Sequence, residues 1–192
     1  FVDQFIVRHN KRTLKSKQYA ADSKNNCADW INSLGFRMTL KEIAYPVVMD
    51  KCYDARFVDL DGNEYIDFAM GYGVGFFGNN ISFIKESIQT QLNKGFELGP
   101  QNHLIGKVSE LICEMTKVDR VSYCNSGTEA VMVALRLART ATKRSKIVFF
   151  SGSYHGTFDG VLAFPSQKGY GAETQVVGTP EAMMEDIMIL PY

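Results

Sequence analysis

Val121-Ser122-Tyr123-Cys124-Asn125-Ser126-Gly127-Thr128-Glu129-Ala130 and, further on, Ile147-Val148-Phe149-Phe150-Ser151-Gly152-Ser153-Tyr154-His155-Gly156 decide how this chain folds. Val121 to Cys124 reads as a short strand. Thr128 to about Thr142, rich in Ala, Val and Leu, reads as a helix, and Ile147 to Phe150 as a second strand. Strand, helix and strand at this spacing predict a βαβ crossover, hence a parallel sheet with helices on its faces. The turn Asn125–Thr128 then sits at a helix N-terminus, where unpaired amides and the helix dipole favour an anion. Ser126 followed three residues later by Glu129 also fits a plain capping box. Both readings stand on this segment alone.

The second segment favours the anion reading. Neighbouring parallel strands deliver their C-terminal ends to one sheet edge, where ligands bind. Tyr154 and His155 are therefore expected to emerge beside Ser126–Thr128. An aromatic ring next to a phosphate cup suits a planar phosphorylated cofactor. Ser153, His155 and Asp159 also suggest a hydrolase triad, but Gly152-Ser153-Tyr154-His155-Gly156 has its serine one place early for a nucleophile elbow.

Upstream, three short extended runs, Tyr45 to Met49, Arg56 to Leu60 and Glu64 to Phe68, predict an antiparallel meander, with Asp61-Gly62 as a hairpin turn. Gly73-Val74-Gly75-Phe76-Phe77-Gly78 matches a dinucleotide fingerprint literally, with Glu97 near the acidic position. The run before it belongs to the meander, which argues against that use. Ile81, Ile84, Ile88 and Leu92 mark one helix, and Leu104, Val108, Leu111, Ile112 and Met115 another. Thr179-Pro180-Glu181 reads as a helix start, with Asp186 inside that helix, and Met188 to Leu190 as a further apolar run. A parallel sheet of two or three strands leaves an edge and a face open, so the chain is expected to be part of something larger.

Composition narrows the function classes. The 192 residues carry 21 Lys+Arg and 21 Asp+Glu, a balance that disfavours an extended nucleic-acid footprint. No apolar run approaches the roughly 20 residues of a membrane span, and no signal peptide is evident. The four cysteines have no metal or redox spacing and read as reduced thiols. A cytoplasmic protein without a metal site is expected. Residues 1–20 hold Arg8, Lys11, Arg12, Lys15 and Lys17 against Asp3 alone. A solvated helix and linker is favoured there over a docking arm.

Ser126-Gly127-Thr128-Glu129-Ala130, Ser151–Gly156 and Asp61-Gly62-Asn63-Glu64-Tyr65-Ile66-Asp67 together resemble class III pyridoxal-phosphate (PLP) aminotransferases, in the branch similar to glutamate-1-semialdehyde aminomutase. More narrowly, Arg12-Thr13, Ser16-Lys17, Gly35-Phe36-Arg37 and Lys41-Glu42 resemble aminotransferase domains embedded in hybrid polyketide–nonribosomal peptide synthetases. The resemblance implies an α/β fold of type I, with an arm over 1–40, a small antiparallel β meander over 41–70 and an incomplete PLP-binding large domain over 71–192. It implies that Ser126, Gly127 and Thr128 hold the cofactor phosphate, that Tyr154 stacks on the pyridine ring and that His155 and Gly156 shape the loop. Tyr72 falls near the substrate and Arg37 near a substrate-carboxylate position. The Schiff-base lysine and the acid facing the ring nitrogen are expected downstream, because Lys168 lies too close to the tyrosine loop. The chain alone is then expected to be inactive.

The implied reaction moves an amino group from an amino donor to a keto or aldehyde acceptor, in the embedded subgroup a β-ketoacyl chain on a carrier protein, with a homodimer as the complete enzyme. A free-standing aminomutase or ω-aminotransferase is the alternative, and a non-catalytic phosphate-binding remnant the alternative of another class.

Overall fold

The computed structural model describes residues 1–28, 36–95, 99–167 and 169–192. Gly35, Glu97 and Lys168 lie outside the described residues. The chain divides into two compact units, Phe1–Pro100 and Gln101–Tyr192.

The first unit opens with helices α1 (Val2–Arg12) and α2 (Leu14–Ser23), separated by a kink at Thr13 (φ −120°, ψ 40°). Thr13 and Ser16 are fully buried. The Thr13 hydroxyl donates to the His9 carbonyl (2.9 Å), and the Val48 amide donates to Ser16 Oγ (3.0 Å). Strands β1 (Met49–Tyr53), β2 (Arg56–Asp59) and β3 (Glu64–Ile66) form the antiparallel meander, in the order β1-β2-β3. The first strand starts later than its sequence pattern suggests: residues 45–48 are outside the ladder, whose register begins at Met49↔Asp59.

The arm is more than a solvated helix. The Asp61 carboxylate, from the Asp-Gly turn, accepts the Lys15 amide on both oxygens (3.0 Å each) and so caps the start of α2 from another part of the chain. Arg12 Nε donates to Asn63 Oδ1 (3.2 Å), and the Asn63 side-chain amide donates to the Arg12 carbonyl (2.7 Å). Beneath this turn Asp59 is buried. Its carboxylate accepts from the Asp61 and Asn63 amides, the Asn63 side chain and the Tyr65 hydroxyl. Burial alone would raise the Asp59 pKa, but these donors outweigh it and hold the carboxyl below its ordinary value.

A carboxyl lowered in the folded state stabilises fully above its unfolded pKa, and that contribution fades as pH falls through the folded value. Asp59→Ala is therefore expected to cost about 2 kcal/mol, the scale of hydrogen bonds to a buried charge. It should also remove part of the acid sensitivity below about pH 4. Urea midpoints of both proteins at pH 7 and pH 3.5 check this. Equal gaps between them at the two pH values would contradict it.

Residues 70–73 follow the meander with four successive left-handed residues, Met70 (φ 42°), Gly71 (58°), Tyr72 (55°) and Gly73 (96°). Helix α3 (Ser82–Lys94) ends the unit. The glycine run 73–78 thus follows a 3₁₀ turn and an antiparallel strand, which is not the context of a dinucleotide-binding turn.

The second unit holds helices α4 (Leu104–Thr116) and α5 (Gly127–Thr142), then strands β4 (Ile147–Phe150), β5 (Ala163–Pro165), β6 (Ala172–Thr174) and β7 (Ile187–Leu190). The predicted parallel pairing is found, but between β4 and β7, in the register Ile147↔Ile187 to Phe150↔Leu190. Val121–Cys124 is not a strand: a strand exists only through a hydrogen-bonded neighbour, and the described residues supply none. The apolar run begun at Met188 is β7. The expected helix after Pro180 is a short 3₁₀ turn, Glu181–Met184, that starts one residue late. Asp186 lies beyond it and accepts the Ser145 hydroxyl (2.9 Å).

Phe149, Ile187 and Ile189 point to one face of the pair and join Val161 in the core, with Val131 and Leu135 of α5 packed over them. Val148 and Phe150 alternate to the other face and remain about half exposed.

Candidate functional site

Helix α5 begins at Gly127 because its N-terminus is doubly capped. Ser126 Oγ accepts the Glu129 amide (3.2 Å), and the Glu129 carboxylate accepts the amides of Asn125 (2.7 Å) and Ser126 (3.0 Å). The capping box is therefore real, and it leaves the first two amides of the helix unused. The amides of Gly127 and Thr128 take no partner among the described residues. The Ser126 hydroxyl accepts in the cap, which leaves its hydrogen free to donate. Two amides, one hydroxyl and the positive end of a four-turn helix thus face outward together.

The tyrosine loop meets this turn. The Thr157 amide donates to Thr128 Oγ1 (3.2 Å). Gly156 has φ +106° and is buried, and a Cβ placed there would stand 2.6 Å from Thr128 Oγ1 and 2.9 Å from Thr128 Cα. Only glycine suits both the conformation and the approach. The expected convergence of Ser126–Thr128 with Tyr154–Gly156 is thus present, carried by the Thr128–Gly156 contact. Phe149 stacks on His155 (centroids 4.6 Å, 28°), fixing the loop from the β4 side. The Tyr154 ring is left 77% exposed. His155 Nε2 is buried and has no partner among the described residues. A cleft of about 430 Å³ lies against this loop, with Phe149, His155, Phe164 and Gln175 among its walls.

Ser153 Oγ donates to the Phe150 carbonyl (2.6 Å) and His155 Nε2 is unpaired, so no hydrolase triad is assembled. Tyr72 and Arg37 belong to the first unit. Tyr72 is fully exposed on its left-handed turn, and Arg37 is exposed at the start of a 3₁₀ turn, Met38–Ile43. Sequence reasoning missed Thr157 and Phe149. Nothing in residue type marks the Thr157 amide, whereas the inward alternation of β4 could have singled out Phe149.

Residues 39–189 match the family model for class-III aminotransferases. A curated glutamate-1-semialdehyde 2,1-aminomutase of Caldicellulosiruptor saccharolyticus is 34% identical over 93% of this chain and 41% of its own length. Among solved structures, an omega-transaminase from Sphaerobacter thermophilus is 32% identical over 77% of this chain and 36% of its own, with TM-score 0.72. A transaminase with PLP bound is 27% identical over 94% of this chain and 42% of its own, with TM-score 0.79. The chain spans about two fifths of the length of these relatives. Its parallel β4–β7 pair under α5 is part of the fold-type-I layout that such PLP-dependent enzymes share. By sequence match and by fold, the chain belongs to the class-III aminotransferase family.

Proposed function

We propose that this chain supplies the phosphate-holding half of a PLP site in an aminotransferase. The contact between Thr128 and Gly156, which sets an exposed tyrosine beside two unpaired amides at a helix start, carries the proposal. The residues fit the group. The amides of Gly127 and Thr128 and the Ser126 hydroxyl suit a phosphate, the Tyr154 ring suits a pyridine face, and the orphaned His155 Nε2 suits a polar partner beneath it. When bound, PLP supplies the electron sink for amino transfer. The α5 N-terminus neutralises the phosphate, Gly156 keeps the loop against Thr128, and Phe149 holds His155 so that Tyr154 projects. We assign the covalent lysine to a segment outside these residues, so the chain alone binds without turnover. Residues 71–192 form the cofactor part and 41–70 the smaller domain in this reading.

The proposed substrates are an amino donor and a keto or aldehyde acceptor, with a carrier-bound β-ketoacyl chain as acceptor and a homodimer as the working enzyme. A free-standing glutamate-1-semialdehyde aminomutase or ω-aminotransferase is the second reading, favoured by the 34% and 32% identities to proteins of those names.

Pyridoxamine 5′-phosphate, which has no aldehyde to react with stray lysines, tests the site directly. Tyr154→Ala should weaken its binding about tenfold, the scale of one lost aromatic stack, while Tyr154→Phe stays within about twofold. Equal affinity for Tyr154→Ala and the parent chain, by calorimetric titration, would remove Tyr154 from the site.

A further inference from the structure

Residues 130–146 carry Arg136, Arg139, Lys143, Arg144 and Lys146 and no acid, in a chain whose formal charges cancel. Three of these line a groove of about 720 Å³ along the C-terminal half of α5. Its apolar lining is Met132, Leu135, Phe158 and Met183, of which Leu135 and Phe158 also pack against the core. Its cationic lining is Arg136, Arg139 and Lys143, and Asp159 is the only acid among the lining residues. Met132, Arg136, Arg139 and Lys143 recur at steps of four, three and four, so they make one stripe on the helix.

The helix end explains only part of this charge. Arg139 Nε donates to the Ser145 carbonyl (2.8 Å) and Lys143 is the C-terminal cap, so both complement the negative end of α5. Arg136 lies one turn earlier, is exposed, and makes no ion pair or side-chain hydrogen bond among the described residues. Like charges three and four residues apart oppose each other, so Arg136 gains nothing from Arg139 beside it. An acidic occupant would offset that repulsion.

We propose that this groove docks an acidic amphipathic helix of a partner protein. The apolar side of that helix would lie on Met132, Leu135, Phe158 and Met183, and its carboxylates would face Arg136, Arg139 and Lys143. A helix reads such a groove through apolar anchors spaced by three and four, and charge complementarity sets orientation and partner choice. The apolar lining does not suit a nucleic-acid backbone. The cationic stripe begins nine residues beyond Gly127, roughly 14 Å along the helix. The inference is independent of the cofactor reading.

Two labelled synthetic helical peptides test it on the full chain by fluorescence anisotropy. One presents Leu at i, i+3, i+4 and i+7 with flanking Glu, and its twin replaces each Glu by Lys. The acidic peptide should bind at least tenfold more tightly than its twin. The R136E/K143E double variant should lose at least tenfold, with an unchanged circular dichroism spectrum and unchanged pyridoxamine 5′-phosphate affinity. Equal binding of the two peptides, no binding, or an unaffected double variant would overturn the proposal. So would self-association of the chain that the double variant abolishes, which would make a second copy the occupant. Binding to this chain but not to the complete reading frame would overturn it too, because the rest of the fold would then fill the groove.

Discussion

Gly156→Ala is expected to weaken pyridoxamine 5′-phosphate binding at least 30-fold, whereas Gly152→Ala should weaken it only a few-fold. Both glycines have positive φ, +106° and +81°, so both substitutions bring left-handed strain of about 1 kcal/mol. They differ in what a new methyl group meets. At Gly152 nothing lies within 4 Å, while at Gly156 the Cβ would stand 2.6 Å from Thr128 Oγ1 and 2.9 Å from Thr128 Cα. One of those atoms belongs to the backbone at the start of α5, so the tyrosine loop and the anion turn must separate. Overpacking of this kind costs about 1–3 kcal/mol. Added to the strain, it reaches or exceeds the ~2 kcal/mol that a 30-fold loss represents. Equal losses in the two variants would show that the contact with Thr128 does not hold the site together.

Ile187→Ala is expected to lower the stability of the second unit by about 2–4 kcal/mol, while Met188→Ala costs under about 1 kcal/mol. Ile187 is 3% exposed and lies in a small cluster with Phe149, Val161 and Ile189, under Val131 and Leu135. Met188, the next residue on the same strand, points to the half-covered face. A cluster of four buried side chains has little to redistribute when one is truncated. A unit this size has roughly 5–15 kcal/mol in total, so the loss should lower its melting temperature by at least about 10 °C. Thermal denaturation followed by circular dichroism measures both variants. Similar shifts would contradict the one-sided packing of the β4–β7 pair.

The sequence was most informative where local chemistry is self-contained. The capping box at Ser126 and Glu129, the hairpin turn at Asp61-Gly62 and the stripes of α3 and α4 each follow from residues within a few positions of one another. The parallel pairing expected of β4 is present, with β7 as its partner in place of Val121–Cys124. Val121–Cys124 has strand composition, yet pairing is a long-range property, and β4 pairs with β7 instead. The helix start at Pro180 yielded a single 3₁₀ turn because the chain must enter β7 at Ile187.

The anchoring of the arm was hidden for the same reason. Asp61 caps α2 and Asp59 gathers Asn63 and Tyr65 through contacts that no spacing rule encodes. In the candidate site, the residue types at Ser126–Thr128 and Tyr154–Gly156 were readable, but their meeting rests on the Thr128–Gly156 contact and not on a shared sheet edge, because Val121–Cys124 forms no strand. The Thr157 amide on Thr128 Oγ1 and the Phe149 ring against His155 emerge only from the packed structure.

In the proposed site the start of α5 holds a phosphate next to Tyr154. The most direct test is to titrate the chain with pyridoxamine 5′-phosphate and with pyridoxamine under the same conditions. The two ligands share the ring and differ in the phosphate alone. Two unpaired amides, a hydroxyl and the helix dipole should favour the phosphorylated ligand by at least 100-fold, and inorganic phosphate should compete with it. Equal affinity for the two ligands, or indifference to inorganic phosphate, would contradict the assignment of Ser126, Gly127 and Thr128.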